Sequence, residues 1–205
     1  MTYQGLSSPD GKGLTLWLTG LPSAGKSTLA QALVKTLDGR GVKVIILDGD
    51  EIRERLSKGL GFSKADRDEN IRRIAYVARL LTEAGALVVV AAISPYRAVR
   101  DAARAEIVRF VEVYVNCPVE ECIKRDVKGL YRKALDGQLA HMTGISDPYE
   151  APLQPELILH TDRESLEGSV GRIVEFLETG GHLPARLHST ASASRVNPGS
   201  MPNPA

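Results

Sequence analysis

The chain has 205 residues, 43% of them hydrophobic and 25% charged, with a formal net charge of +1. That is room for one ordinary α/β domain and a tail, and it lacks the broad basic field of a nucleic-acid binder. No apolar run approaches the roughly 18 residues of a membrane span, residues 1–13 lack the basic and apolar parts of a secretion signal, and two cysteines, Cys117 and Cys122, are too few for a disulfide scaffold or a zinc site, so the expected compartment is the cytoplasm.

Residues 1–13 read as an N-terminal extension. Residues 14–19 form an apolar strand, and residues 26–38 a helix with Leu29, Leu33 and Leu37 on one face. A second buried strand, continuous and β-branched, spans 42–47. A short helix starts at Asp50, and a glycine-containing loop covers 58–62. Ser63 then caps a helix running to about Ala84, supported by Asp66 three residues on, which buries Ile71, Ile74, Val77, Ala78 and Leu81. A third strand covers 87–93, a helix opens near Pro95, and a fourth strand covers 110–115. Pro118 suits the first turn of a helix reaching Arg125, residues 157–159 suit a short fifth strand, and 165–177 the closing helix. Two segments break the rhythm. Residues 126–155 carry glycines, prolines and charges without periodicity, the pattern of a mobile lid. From 182 to 205 the composition turns to Ser, Ala, Pro and Asn, and a disordered tail is expected. The central domain is therefore 14–181, a doubly wound parallel sheet of α/β class, and its ligands belong at the carboxyl ends of the strands.

The first strand end carries Gly20, Leu21, Pro22, Ser23, Ala24, Gly25, Lys26 and Ser27, followed by Thr28. This is G-x-x-x-x-G-K-[ST] between a strand and a helix, the phosphate loop of a P-loop NTPase or kinase fold. Its backbone N–H groups suit the phosphates of ATP, Lys26 the terminal phosphates, and the Ser27 hydroxyl a Mg²⁺ ion. Asp48 and Asp50 end the second strand on either side of Gly49. One suits Mg²⁺ orientation and the other proton acceptance from an attacking hydroxyl, although Asp-Gly is also turn and cap chemistry. Arg53 and Arg67 flank a loop holding Phe62, which suits a planar, anionic acceptor, and Asn70 lies one helical turn past Arg67. Arg72 and Arg73 suit solvated surface. Ser94, at the third strand end after Ile93, suits a cap or a backbone-level contact better than a nucleophile, with no His near in sequence to activate it. Lys128, Tyr131, Arg132 and Lys133 crowd the lid, where the cations among them would support phosphoryl transfer. Cys117, Cys122 and Trp17 read as core, and the four histidines show no metal-ligand spacing.

Beyond the loop, the ordered pieces Leu47-Asp48-Gly49-Asp50-Glu51-Ile52-Arg53, Gly59-Leu60-Gly61-Phe62-Ser63, Asp66-Arg67, Asn70-Ile71-Arg72-Arg73, Ile93-Ser94-Pro95-Tyr96-Arg97, Arg125-Asp126-Val127-Lys128-Gly129-Leu130-Tyr131, Thr143-Gly144-Ile145 and Asp147-Pro148-Tyr149-Glu150-Ala151-Pro152 resemble the adenylylsulfate kinase family. The resemblance implies ATP- and Mg²⁺-dependent phosphorylation of the 3′-hydroxyl of adenosine 5′-phosphosulfate, by a homodimer that associates with ATP sulfurylase in some settings. It implies an acceptor pocket of Arg53, Phe62, Arg67, Asn70, Ile93, Ser94, Lys128 and Met142. Catalytic roles fall to Lys26, Asp48, Asp50 and Ser94, with Ser27 and Asp48 at the metal. In the family the serine of the Ile-Ser-Pro motif, here Ser94, has been described as a phosphoserine intermediate, whereas the residues themselves favour direct in-line transfer with Asp50 as base. Met142 stands where the family commonly has Phe, which implies a thioether wall and weaker acceptor affinity, and the segment before the first strand is short. Two other readings stay open: a kinase of another small anionic acceptor on the same scaffold, and a nucleotide-binding subunit without catalysis.

Overall fold

A computed structural model describes residues 12–183. Its sheet is parallel throughout, in the order β2-β3-β1-β4-β5. The strands are β1 (Leu14–Thr19), β2 (Val44–Asp48), β3 (Leu87–Ala91), β4 (Phe110–Asn116) and β5 (Leu157–His160). The helices are α1 (Lys26–Asp38), α2 (Gly49–Arg55), α3 (Lys64–Glu83), α4 (Arg97–Glu106), α5 (Val119–Arg125), α6 (Leu130–Leu135) and α7 (Leu166–Thr179). Alternate residues of each strand face opposite cores, as the pleat requires. Leu14, Leu16 and Leu18 join Leu29, Leu33, Ile173 and Leu177 of α1 and α7 on one side. Trp17, Val88 and Val90 join Ile71, Ile74, Ala78 and Val99 of α3 and α4 on the other. With both faces covered, the strands must be apolar throughout, and β1 and β3 are buried along their whole length. β1 sits centrally, between β3 and β4, so its carboxyl end opens at the point where the winding reverses.

Most expected elements recur within a residue or two. Ser63 caps α3, its hydroxyl accepting from the Asp66 N–H. Of the expected α3 face, Ile71, Ile74 and Ala78 are buried, while Val77 and Leu81 are partly covered. Five details differ. β2 starts at Val44 rather than 42, because the Val42 N–H closes the end of α1 on the Leu37 carbonyl. β3 stops at Ala91, short of 93, because the chain turns at Ser94, which has a φ of 41°. α4 is capped at Tyr96 and not by Ser94, and Pro118 is the N-cap of α5 rather than its first helical residue. Within 126–155, read as irregular, a short helix α6 forms. Its start is fixed by the Asp126 carboxylate, which accepts from the Tyr131 and Arg132 N–H groups. Burial works against ionisation of that carboxylate, yet these backbone bonds hold its pKa below the usual range.

The extension and tail lie outside the described residues except for 12, 13, 182 and 183. Leu183 is buried in the α1/α7 core, and the His182 N–H donates to the Leu177 carbonyl. No helix among the described residues is long and apolar enough to cross a membrane.

Candidate active site

The phosphate loop turns directly off β1. Gly20 has a φ of 156°, and a Cβ there would stand 2.4 Å from the Val115 carbonyl oxygen of β4, so a side chain does not fit. Gly25 caps α1, leaving its first N–H groups facing the loop. Lys26 is buried and donates to the carbonyls of Gly20 at 2.9 Å and Leu21 at 2.7 Å. Burial pushes its ammonium down to about 8. The Ser27 hydroxyl donates to Asp48 Oδ2 at 2.6 Å. The other oxygen of Asp48 accepts from the Asp50 N–H at 3.0 Å and so caps α2. One carboxylate thus fixes the loop hydroxyl and aims Asp50 outward, where the Lys128 ammonium of the lid contacts it.

Three contacts from later in the chain hold the loop. The Thr161 hydroxyl after β5 donates to the Ala24 carbonyl at 2.8 Å, and Arg125 donates to the Thr161 carbonyl at 2.6 Å. The buried Tyr131 hydroxyl of α6 donates to the Pro22 carbonyl at 3.1 Å. At Gly144 an added Cβ would lie 2.8 Å from Leu21, so the lid packs directly on the loop.

Across the cavity, Arg53 stacks over the Phe62 ring at 4.6 Å and Arg67 lies 5.8 Å from its centroid. Arg53 uses Nη1 on the carbonyls of Gly61 and Leu60, and burial followed by the nearby Arg67 charge lowers its pKa. Arg67 is buried and spends its fork on protein groups. Nε donates to the Phe62 carbonyl at 2.9 Å, Nη1 to the Thr143 hydroxyl at 2.7 Å, and Nη2 contacts the His141 carbonyl and Asp147. Its guanidinium thus ties segment 141–147 to α3. Phe62 is 52% exposed, while Asn70 lines the cavity and is buried with its Oδ1 unpaired, an acceptor that no protein donor satisfies.

These groups surround one cavity of about 660 Å³. On the loop side it is lined by Pro22, Ser23, Gly25, Lys26, Ser27 and Thr28, with Asp50 and Lys128. On the other side stand Arg53, Phe62, Arg67 and Asn70, with Ile93, Ser94 and Met142. Gly20, Leu21, Ala24 and Asp48 do not line it, and Asp48 acts through Ser27. Ser94 is 1% exposed. Its hydroxyl accepts from the Trp17 indole N–H at 3.0 Å and donates to the Thr19 hydroxyl at 3.1 Å, so it is engaged in the core. Met142 is buried and belongs to the same core as Cys117, Cys122 and Tyr131. Burial pushes the Cys122 thiol up to about 12, which makes it inert.

Sequence reasoning singled out Tyr131 and Arg125 but missed that they support the site, and it missed Thr161, Arg100 and Glu112 altogether. Arg125, Thr161 and Tyr131 hold the phosphate loop from afar, and Arg100 and Glu112 form a buried pair at 2.7 Å. Glu112 in the otherwise apolar run of β4 was the available signal, because a charge in a doubly covered strand requires a partner.

A family model for adenylylsulphate kinase matches residues 12–160. An adenylyl-sulfate kinase of Rippkaea orientalis (strain PCC 8801 / RF-1) is 55% identical over 172 residues, covering 84% of this chain and 95% of that protein. A probable bifunctional SAT/APS kinase 2 of Sorangium cellulosum (strain So ce56) is 54% identical over 174 residues, and this chain spans 30% of its length and is itself 85% covered. The structure of the Mycobacterium tuberculosis APS kinase CysC in complex with AMPPNP and APS superposes with a TM-score of 0.79 at 42% identity, over 82% of this chain and 98% of that one. Family model, relatives and fold give one answer: the chain belongs to the adenylylsulfate kinase family.

Proposed function

We propose that this kinase transfers the γ-phosphoryl group of ATP to the 3′-hydroxyl of adenosine 5′-phosphosulfate, giving 3′-phosphoadenosine 5′-phosphosulfate and ADP. The observation that carries this reading is that the phosphate loop and the wall of Phe62, Arg53 and Asn70 open into one cavity with Asp50 on its lining. The solved APS kinase with AMPPNP and APS supports the same pairing of donor and acceptor.

The loop N–H groups and Lys26 hold the donor phosphates. The acceptor base lies against Phe62 and offers a donor to Asn70 Oδ1, and the phosphosulfate is drawn by Arg53. Asp50 takes the proton of the attacking hydroxyl, and Lys128 brings positive charge to the oxygens that gain charge in transfer. Ser94 contributes through its backbone and its place in the wall, since its hydroxyl is committed to Trp17 and Thr19. The Ser27 hydroxyl and Asp48 carboxylate fit Mg²⁺, a cation that takes few protein oxygens and completes its shell with phosphate and water. When bound, it neutralises charge on the donor phosphates. As a cytoplasmic homodimer the enzyme would meet ATP sulfurylase, and the bifunctional SAT/APS kinase name of the Sorangium relative supports association with a second activity.

The test is ADP release with adenosine 5′-phosphosulfate, AMP, adenosine and shikimate in parallel. Turnover with the phosphosulfate alone is expected. Turnover with another acceptor would reassign the substrate, and nucleotide binding without turnover would make the chain a binding subunit.

A further inference from the structure

We infer that Arg100 is a positioning residue for the acceptor half of the site, acting without contact with the substrate. It is 2% exposed, lies on α4 and does not line the cavity. Its guanidinium nevertheless joins three parts of the chain. Nε pairs with Glu112 of β4 at 2.7 Å, Nη1 donates to the Ser94 carbonyl at 2.6 Å, and Nη2 donates to the Glu150 carbonyl at 2.7 Å. Ser94 is the residue at which the cavity wall turns off β3, and its φ of 41° is unfavourable for a side-chain-bearing residue. Glu150 is the root of the lid. Its N–H donates to the Pro95 carbonyl at 2.8 Å, and its carboxylate accepts from the Arg97 N–H at 2.8 Å, capping α4.

The planar fork therefore fastens the acceptor wall and the far end of the lid to one point. Glu112 holds that point, compensating a charge that would otherwise be buried alone. A buried arginine whose donors reach two main-chain carbonyls fixes backbone, and in this case it fixes the two segments that must close around an acceptor. Among the described residues Arg100 makes no hydrogen bond or ion pair to 20–28, and it reaches the donor side only through Ser94 and Tyr149, which bond the Thr19 hydroxyl ahead of the loop. Loss of the clamp should therefore raise the acceptor KM selectively. This inference rests on the function proposed above.

Two variants separate positioning from general stability. Arg100→Lys keeps the charge beside Glu112 but replaces a three-nitrogen fork with one ammonium. Arg104→Gln cuts the same ionic network at its exposed end, on Glu112 and Glu156, and touches neither carbonyl. With the whole chain and ADP release at varied ATP and varied adenosine 5′-phosphosulfate, Arg100→Lys should raise the acceptor KM about tenfold and leave the ATP KM within about twofold, as small misplacements of a site do. Arg104→Gln should leave both KM values within about twofold. Amide exchange in Arg100→Lys should quicken at 94–97 and 147–150 and stay unchanged at 20–28. Equal rises in both KM values, an unchanged acceptor KM, or the same acceptor effect in Arg104→Gln would overturn the inference. The unmodified chain is assayed alongside. If it fails to turn over the phosphosulfate, the proposed function falls, and exchange alone decides the clamp, with unchanged rates at 94–97 and 147–150 overturning it.

Discussion

The two sides of the cavity are built by different means. The donor side is a single run of backbone, from Gly20 to Thr28, whose shape follows from a strand, two glycines and a helix start. The acceptor side is assembled from α3, the β3 end and the lid, joined by side-chain contacts such as Arg67 to Thr143 and Arg100 to Glu150. The first takes its shape from neighbouring residues, with Thr161 and Tyr131 bracing it from later in the chain. The second depends for its shape on contacts between residues far apart in sequence.

Substitutions on the two sides should fail differently, and the largest effect belongs to the donor side. Lys26→Ala should lower turnover by about 10³-fold or more, because phosphoryl transfer rests on charge stabilisation, with far-UV circular dichroism unchanged. Next, Asp50→Asn should reduce kcat by about 10²-fold with both KM values little altered, and intact turnover at saturating substrates would remove Asp50 as the base. The pH response sharpens the contrast. Lys26 titrates at about 8 through burial, and its charged form is the one that attracts phosphate. For the free enzyme, kcat/KM for ATP should therefore fall as pH rises through about 8, approaching tenfold per unit. The sign for stability is opposite. Between about 8 and the ordinary lysine value of 10.5 the unfolded chain binds the extra proton, so this group makes folding more favourable as pH rises. Tyr131→Phe removes the bond to Pro22 that ties lid to loop and should cost about 1 kcal/mol in urea unfolding, with m unchanged. The smallest effect is expected at the acceptor wall, where Met142→Phe should lower the acceptor KM by about threefold, the worth of an aromatic contact. An unchanged or higher KM would mean that the buried site cannot take the ring.

The same contrast explains what could be read from the sequence. Parallel strands, α1 and the phosphate loop announce themselves through apolar runs, helical spacing and glycines, all of which act within a few residues. Asp48, Asp50, Phe62 and Asn70 could be picked out as candidates because each sits beside such a landmark. Arg67 was legible as a cation but not as a clamp on the lid, because its partners Thr143 and His141 lie some 75 positions away. Ser94 was legible as a serine at a strand end, and its commitment to Trp17 depended on β1 and β3 being neighbours. α6 escaped because its start is set by one carboxylate, Asp126, rather than by a periodic face.

The Glu150 carboxylate has two duties, since the residue that anchors the lid also terminates α4 by accepting the Arg97 N–H. Lifting the lid at that root strips a helix of its cap, and fraying that helix loosens the lid. The two motions are one equilibrium. A probe on the first turn of α4, outside the cavity lining, would therefore act as a gauge of how far the acceptor half has closed.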